Sequence, residues 1–168
     1  MENRIYNSKI GPILITCDSV SITGLAFIDE LNVNKYSYIK EDDLPIFLEA
    51  KNWLDIYFSN KSPSFIPNIK INYLSNFQKL VLEEVMSIPY GNVITYGEIA
   101  KRITIKLGIK KMSAQAVGHA IGINPIPLLI PCHRVVGSNN HVGGYAFGVN
   151  IKKELLKLEG IDISKYKL

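Results

Sequence analysis

Residues 128–136 read Leu-Leu-Ile-Pro-Cys-His-Arg-Val-Val. The apolar run at the start of this stretch predicts a buried strand, and the proline after it stiffens the approach to Cys132. The histidine and arginine that follow can favour the anionic form of the thiol. The stretch therefore predicts either a reactive thiolate or a buried structural cysteine beside a polar turn, because free cysteine is commonly buried.

The composition predicts a soluble protein of the cell interior. The chain has 168 residues, of which 47% are hydrophobic, enough for a packed core. It has no apolar run near the roughly 18 residues of a membrane span and no signal-peptide pattern, so we expect a cytoplasmic protein without membrane contact. Two cysteines, Cys17 and Cys132, and three histidines give no zinc-type spacing, so we expect no metal and no cofactor.

The charge of the chain is unevenly distributed. Residues 1–94 carry 8 Lys/Arg and 11 Asp/Glu, a net −3, whereas residues 95–168 carry 11 and 4, a net +7. A basic half beside an acidic half predicts a polyanion as partner of the basic half, although a basic surface can also serve solubility alone.

The first 70 residues predict a small domain of strands and one helix. Alternating apolar residues over 5–28 predict three strands of a meander, and the polar stretch 32–43 predicts a loop. Pro45 and the apolar pattern over 44–58 predict a helix, and the two prolines in 59–68 predict a connector. We therefore place the first domain at residues 1–70.

The second predicted domain, residues 71–168, begins with helices. Ser75 and Ser113 stand at capping positions, and Thr95 is followed three residues later by Glu98, as in a capping box. A helix, a turn and a small-residue helix over 114–121 outline a helix-turn-helix. The predicted turn, 104–112, is long for that motif, so a DNA-binding pair and plain helical packing both remain open.

Two features of the last 30 residues bear on chemistry. Residues 143–148 form a glycine-aromatic loop. Such a loop either lets backbone amides come close to a flat ligand or is an ordinary hairpin. The last helix is predicted from Asn150 as cap to Glu159, with Gly160 as its stop. An acid in the last turn opposes the helix dipole, so we expect a distant basic group, His133, to use Glu159.

These motifs together resemble those of the 6-O-alkylguanine-DNA alkyltransferases (methylated-DNA–protein-cysteine methyltransferases). The resemblance spans about residues 73–160 and is carried by Pro89-Tyr90-Gly91, Thr95-Tyr96-Gly97, Ala114-Gln115-Ala116-Val117-Gly118, Asn124-Pro125-Ile126-Pro127, Pro131-Cys132-His133-Arg134-Val135, Gly144-Tyr145 and Leu155-Leu156-Lys157-Leu158-Glu159-Gly160. The first 70 residues match only in general character.

The resemblance implies an α+β fold. Its N-terminal domain would be a small antiparallel sheet with a helix, ribonuclease-H-like. Its C-terminal domain would be mostly helical and winged-helix-like, with a helix-turn-helix. It also implies a monomer that repairs double-stranded DNA by a single irreversible transfer of a methyl or larger alkyl group from the 6-oxygen of guanine to its own cysteine. The 4-oxygen of thymine is a second candidate target. The damaged base would be flipped out of the duplex.

The resemblance also implies roles for residues. Cys132 would be the nucleophile, and His133 would deprotonate it through a water while Glu159 orients His133. Asn124 would hold the turn around the site, and Tyr96 would donate a hydrogen bond to a guanine ring nitrogen. The attack of sulfur on an alkyl carbon needs a soft thiolate, a base that forms it, and hydrogen-bond donors for the heterocyclic anion that leaves.

The helix over 114–121 is implied to enter the minor groove, where small side chains suit close approach. The implied substrate and DNA contacts are Ser113, Gln115, Ala116, Arg134, Val135, Tyr145 and Ala146. Gln115 departs from the family, which usually places an arginine there to fill the space that the flipped base leaves.

Two other functions compete with repair. A DNA-binding sensor would recognise the lesion and pass it on, but a sensor needs no nucleophile. A hydrolase would use Cys132, His133 and Glu159 as a triad, but an adjacent Cys and His cannot easily face each other.

Overall fold

The computed structural model describes residues 1–36, 44–72 and 74–167. The chain divides into two compact units. Unit 1 comprises Met1–Asn72 with Pro125–Leu129, and unit 2 comprises Tyr73–Asn124 with Ile130–Leu168. The short segment before the cysteine therefore groups with the first unit, whereas the cysteine itself belongs to the second.

Unit 1 is a three-stranded antiparallel sheet with one long helix. The strands β1 (Glu2–Ser8), β2 (Gly11–Cys17) and β3 (Ile22–Phe27) pair in the order β1-β2-β3, which confirms the predicted meander. Helix α1 (Pro45–Phe58) starts with proline in its first turn, as predicted. Alternate residues of β2 are buried, because successive side chains of a strand point to opposite faces.

The predicted loop over 32–43 is wrong in its first part. A short 3-10 helix, Glu30–Lys35, occupies that part, and residues 37–43 lie outside the described residues. Elsewhere in unit 1, the amide of Leu25 donates to the carbonyl of Pro125 at 3.0 Å.

Unit 2 is built from four helices: α2 (Asn76–Met86), α3 (Tyr96–Leu107), α4 (Ala114–Gly122) and α5 (Val149–Leu158). The three predicted caps are present. Ser75 and Thr95 each form a complete capping box, and the hydroxyl of Ser113 accepts from the amide of Ala116 at 3.1 Å. The first three helices of unit 2 therefore start where their side chains can satisfy the free amides of the first turn.

A two-stranded parallel sheet was not predicted. Strand β4 (Ile94–Thr95) pairs with β5 (Val135–Val136), with Ile94 opposite Val135. Strands of two residues carry no readable alternation, so the sequence gives no signal for them. The pairing sets the start of α3 beside the segment that follows the cysteine.

The predicted strand before Cys132 is wrong. Leu128 and Leu129 form a turn in which Leu128 has a φ of +73°, and Cys132–Arg134 form one turn of 3-10 helix. In the described part of the chain, the backbone here makes hydrogen bonds to nearby residues and not to a neighbouring strand. The carbonyl of Ile130 accepts from the amide of Cys132 at 2.7 Å and from Nδ2 of Asn124 at 2.8 Å. Apolar composition predicted burial correctly here but could not tell a strand from a buried turn.

Two helix ends also differ from the prediction. Helix α3 continues to Leu107 and stops at Gly108, which has a φ of +64°, so the link to α4 is shorter than the predicted turn over 104–112. Helix α5 begins at Val149 after Gly148, so Asn150 lies inside the helix and is not its cap. Among the described residues, no helix is both long and apolar enough to cross a membrane.

The capping box at Thr95 predicts a measurable loss of stability. Thr95→Ala removes the acceptor for the amide of Glu98, so we expect the free energy of unfolding to fall by about 1 kcal/mol in urea titration. Thr104→Ala in the same helix is the control, because its hydroxyl only bonds back to the carbonyl of Ala100 and its loss should be near neutral. Equal losses in the two variants would contradict a role for the cap.

Candidate active site

Cys132 lies on the 3-10 turn with 7% of its surface exposed. The side chain of Asn124 holds the preceding carbonyl and also hydrogen-bonds the thiol. Burial raises the pKa of the thiol, and the opposing effects of Asn124, Lys152 and Tyr145 do not cancel it. The resting sulfur is therefore a thiol, and a base must take its proton before it can act as a nucleophile.

Glu159, the acid at the end of α5, is buried and surrounded by donors. Its Oε1 accepts from Nε2 of His133 at 2.6 Å, and Nε of Arg134 donates to Oε2 at 2.9 Å. Nη2 of Arg134 adds a bond of 3.0 Å to Oε1, and the amide of Gly91 donates to Oε2 at 3.0 Å. The predicted pairing of His133 with Glu159 is present in this geometry, and the arginine makes it a three-residue network.

The ionisation states of this network follow from its contacts. Burial alone would raise the pKa of Glu159, but the hydrogen bonds of His133 and Arg134, together with the charge of Arg134, outweigh it and lower the pKa to about 2. Burial lowers the pKa of His133, so its imidazole is neutral near pH 7. A carboxylate only accepts hydrogen bonds, so Nε2 carries the hydrogen and Nδ1 is the nitrogen that can take a proton.

Position 91 requires glycine for two reasons, the lack of space for a side chain and the positive φ of the backbone. It has a φ of +74°, and a Cβ at this position would lie 3.2 Å from the carbonyl oxygen of Glu159. The turn predicted at Pro89-Tyr90-Gly91 therefore serves to bring a backbone donor to the carboxylate.

Two tyrosines face the sulfur from other elements. Burial raises the pKa of Tyr96, at the start of α3, so its hydroxyl remains a donor at neutral pH. The hydroxyl of Tyr145 is buried, has Cys132 as its electrostatic partner and has its pKa raised, first by burial. Gly143 passes close to Tyr96, because a Cβ there would lie 3.1 Å from the ring.

Arg134 is not placed as a DNA contact. We predicted it among the DNA-binding residues, but its guanidinium is turned inward onto Glu159, its Nη1 donates to the carbonyl of Ile88 at 2.7 Å, and only 8% of the residue is exposed. The family resemblance implied a contact with DNA for this residue, whereas the buried carboxylate is the stronger partner for a guanidinium.

The other predicted contacts fall into two groups. Ser113 and Gln115 are exposed at the start of α4, with Ala116 partly exposed behind them. Val135 is buried in β5, whereas in the glycine-aromatic loop Tyr145 is partly exposed and Ala146 is exposed.

Sequence reasoning missed Lys152. Its ammonium donates to the carbonyls of Val135 at 2.6 Å and Gly144 at 3.1 Å. The signal was present in the spacing, since positions 152, 155 and 156 share the buried face of α5 and Glu159, directly after the helix, continues it. A lysine on an apolar stripe marks a buried cation. In the part of the chain that the structure describes, no three His, Cys, Asp or Glu side chains cluster as metal ligands would.

Two family models match the chain. Residues 1–71 match the ribonuclease-like domain of 6-O-methylguanine DNA methyltransferase, and residues 76–161 match its DNA-binding domain. The two matches together cover most of the sequence.

Individual relatives agree with the family models. A methylated-DNA–protein-cysteine methyltransferase of Methanosarcina acetivorans is 40% identical over 165 residues, which is 95% of this chain and 99% of the relative. The crystal structure of Mycobacterium tuberculosis O6-methylguanine methyltransferase superposes with a TM-score of 0.77 at 30% identity, covering 99% of this chain and 94% of that one. A structure described as Mycobacterium tuberculosis OGT in complex with DNA gives the same TM-score of 0.77 and identity of 30%, with coverages of 99% and 95%.

The lowered pKa of Glu159 predicts a pH dependence of stability. The folded-state pKa of about 2 lies below the roughly 4.3 of an unfolded glutamate, so the stabilisation is complete above about pH 5 and is lost as the pH falls towards 2. Glu159→Gln should be less stable than the wild type at pH 7, by about 3 kcal/mol or more because Arg134 loses its counter-ion, and should lack this acid-dependent loss.

Urea unfolding at a series of pH values measures both effects. Glu154→Gln is the matched control, because Glu154 lies on α5, which ends directly before Glu159, but is exposed and pairs with the exposed Lys157. It should keep the wild-type acid profile. Glu159 raises the pKa of His133, so the loss of stability that comes from charging this buried histidine below about pH 6.5 should be the same in the wild type and Glu154→Gln, and larger in Glu159→Gln. An unchanged acid profile in Glu159→Gln would contradict the assigned ionisation.

Proposed function

The chain belongs to the 6-O-methylguanine DNA methyltransferase family, and from this membership we propose that Cys132 is the residue that accepts the alkyl group. The activity is direct repair, in which an alkyl group moves from the 6-oxygen of guanine in DNA to a cysteine of the protein. The thioether that forms has no leaving route, so each molecule reacts once. The proposal rests on one observation above all: Cys132 is flanked by a neutral imidazole whose other nitrogen is held by a buried carboxylate.

The proton follows a defined path in this proposal. Nδ1 of His133 takes the proton of the Cys132 thiol through a water, and Glu159 stabilises the imidazolium that results. The sulfur then attacks the alkyl carbon, the bond from sulfur to carbon forms, and the bond from that carbon to the guanine oxygen breaks with its electron pair. Arg134 keeps Glu159 ionised throughout, so the carboxylate orients the imidazole and is not the proton acceptor.

The departing guanine carries negative charge, and donors around the site would stabilise it. Tyr96 keeps its hydroxyl hydrogen at neutral pH because burial raises its pKa, so it can donate to a ring nitrogen of the base. Asn124 fixes the turn before the sulfur by holding the carbonyl of Ile130. Val135 and the Tyr145-Ala146 loop would read the edge of the guanine.

Recognition of DNA is assigned to unit 2. The net charge of +7 over residues 95–168 suits a polyanion, and the exposed start of α4 carries the small side chains that a minor groove admits. We propose that a monomer binds duplex DNA there, flips the damaged guanine out, and acts in the compartment that holds the DNA, the cytoplasm in a cell without a nucleus. The 4-oxygen of thymine is a further candidate target.

Replacement of the proposed nucleophile tests the assignment. Cys132→Ser should abolish transfer, because a hydroxyl gives almost no anion at neutral pH, while binding to duplex DNA persists. Mass spectrometry after incubation with methylated DNA should show one added methyl group on Cys132 in the wild type and none in the variant.

Cys17→Ser supplies the control. Cys17 is buried in β2 of unit 1, and its substitution should cost packing energy but leave transfer intact. An active Cys132 variant with an inactive Cys17 variant would overturn the assignment. A wild type that binds the lesion without an adduct would favour a sensor, and turnover of an ester would favour a hydrolase.

The glutamine at the start of α4 generates another prediction. Gln115 is exposed and can hydrogen-bond the orphaned cytosine, but it lacks the charge of the arginine that the family usually places there. Gln115→Arg should equal or exceed the wild type in repair of duplex DNA and steepen the salt dependence of binding by about one unit, whereas Gln115→Ala should impair repair.

Single-stranded methylated DNA is the control substrate for these variants. It leaves no partner base behind, so the differences among glutamine, arginine and alanine should be much smaller than on the duplex. Equal duplex rates for glutamine and alanine would show that this side chain does not support the flipped state.

A further inference from the structure

Residues 162–167, here called the strap, bind the backbone of the turn that precedes the glycine-aromatic loop. The amide of Lys167 donates to the carbonyl of Asn140 at 2.6 Å, and the carbonyl of Lys167 accepts from the amide of Val142 at 2.9 Å. These two bonds form a parallel bridge between Lys167 and His141. One residue of the strap therefore holds the chain on both sides of His141.

The strap is itself held by contacts that come before Lys167. The side chain of Asp162 accepts from the amide of Ser164 at 3.1 Å and caps a single 3-10 turn. Tyr166 follows this turn and lines a cavity of about 210 Å³ together with residues of β4, β5 and the turn at residues 137–142. The backbone of Lys167 is thus already placed where it meets that turn.

The turn at residues 137–142 has a conformation that benefits from outside support. Asn139 and Asn140 lie in the left-handed region, with φ of +53° and +59°, and two such residues in succession are uncommon even for asparagine. The amide of Gly137 closes the turn by donating to the carbonyl of His141 at 2.8 Å. The strap adds one hydrogen bond at Asn140 and one at Val142, so it stabilises a turn that its own residues favour little.

The turn leads directly into the glycine-aromatic loop. Gly143 follows Val142, and a Cβ at Gly143 would lie 3.1 Å from the ring of Tyr96 and 3.3 Å from its hydroxyl oxygen. Two residues further on, the hydroxyl of Tyr145 faces Cys132. In the described chain, the amides of residues 143–146 donate to no other backbone group, so the position of the loop depends on the segments that precede and follow it.

We propose that the strap is a positioning element for alkyl transfer: the backbone of Lys167 fixes the turn at residues 137–142, and the turn fixes the loop so that Tyr96 and Tyr145 stay beside the sulfur. This inference rests on the proposed role of Cys132 as the alkyl acceptor. It predicts that a change in the backbone of Lys167 slows transfer, even though the hydrogen bonds of that backbone go to the turn.

Proline at position 167 tests the backbone bond. Lys167→Pro removes the amide that donates to Asn140, and Tyr166 already has the extended conformation, with φ of −104° and ψ of 137°, that a residue before proline adopts. Lys167→Ala is the matched control, because it loses the same exposed side chain and charge but keeps both the amide and the carbonyl.

Single-turnover transfer from methylated duplex DNA is measured over a range of protein concentrations. Relative to Lys167→Ala, the rate constant of Lys167→Pro at saturation should fall about fivefold or more, because the donors beside the sulfur are misplaced. The concentration that gives half of the maximal rate should stay within about twofold, because the start of α4 is unchanged. Equal rate constants in the two variants would overturn the proposal.

A second background distinguishes positioning from a general loss of structure. With Tyr96→Phe and Tyr145→Phe both hydroxyls are absent, so the strap has no donor left to position. Lys167→Pro should then be within about twofold of Lys167→Ala, since changes that act through the same groups are not additive. The same fivefold loss in this background would show that the strap does not act through the tyrosines, and would overturn the proposal.

Hydrogen exchange in the unsubstituted protein covers the case in which Lys167→Pro fails to fold. The two bonds form one bridge, so the amides of Val142 and Lys167 should be protected to within about tenfold of each other. Exchange of the Lys167 amide at the rate of an unfolded chain, with the Val142 amide still protected, would overturn the proposal. Exchange does not depend on repair, so this failure is distinguishable from a failure of the proposed function, which an active Cys132→Ser variant would show.

Discussion

The rest of unit 2 depends on the hydrogen bonds that the buried carboxylate of Glu159 accepts. It collects donors from His133, Arg134 and the amide of Gly91, which come from the cysteine turn and from the turn before α3. A buried carboxylate without these donors would be strongly unfavourable, so the three segments are held in one arrangement. The same arrangement sets the tautomer of His133 and thereby the direction in which the histidine can take a proton.

The two groups that would exchange a proton, Cys132 and His133, are both uncharged in the resting site. Burial keeps both the Cys132 thiol and the His133 imidazole in their neutral forms, while the full charges of Arg134 and Glu159 cancel each other. In the proposed mechanism, charge separation begins only when a proton moves from the sulfur of Cys132 to Nδ1 of His133. In that proposed step the buried carboxylate of Glu159 already lies beside His133 and stabilises the new cation.

Sequence reasoning succeeded where the signal is local or belongs to a recognised motif. The caps Ser75, Thr95 and Ser113 were predicted from side chains that bond within three residues, and the three-stranded sheet from its alternation. It failed where a distant partner decides. An apolar run could not reveal that the carbonyl of Ile130 is taken by Asn124, and nothing near Arg134 in sequence showed that a carboxylate 25 residues away binds it.

The burial of Cys132 also bears on how long the protein stays usable before it meets damaged DNA. A thiol reacts with peroxide mainly as the thiolate and mainly where solvent reaches it, and Cys132 has a raised pKa and little exposure. With Cys132 as the proposed acceptor, oxidation to a sulfenic acid would use up the one reactive thiol of each molecule without repairing any DNA. Burial and protonation of this sulfur therefore slow the loss of a protein that reacts only once.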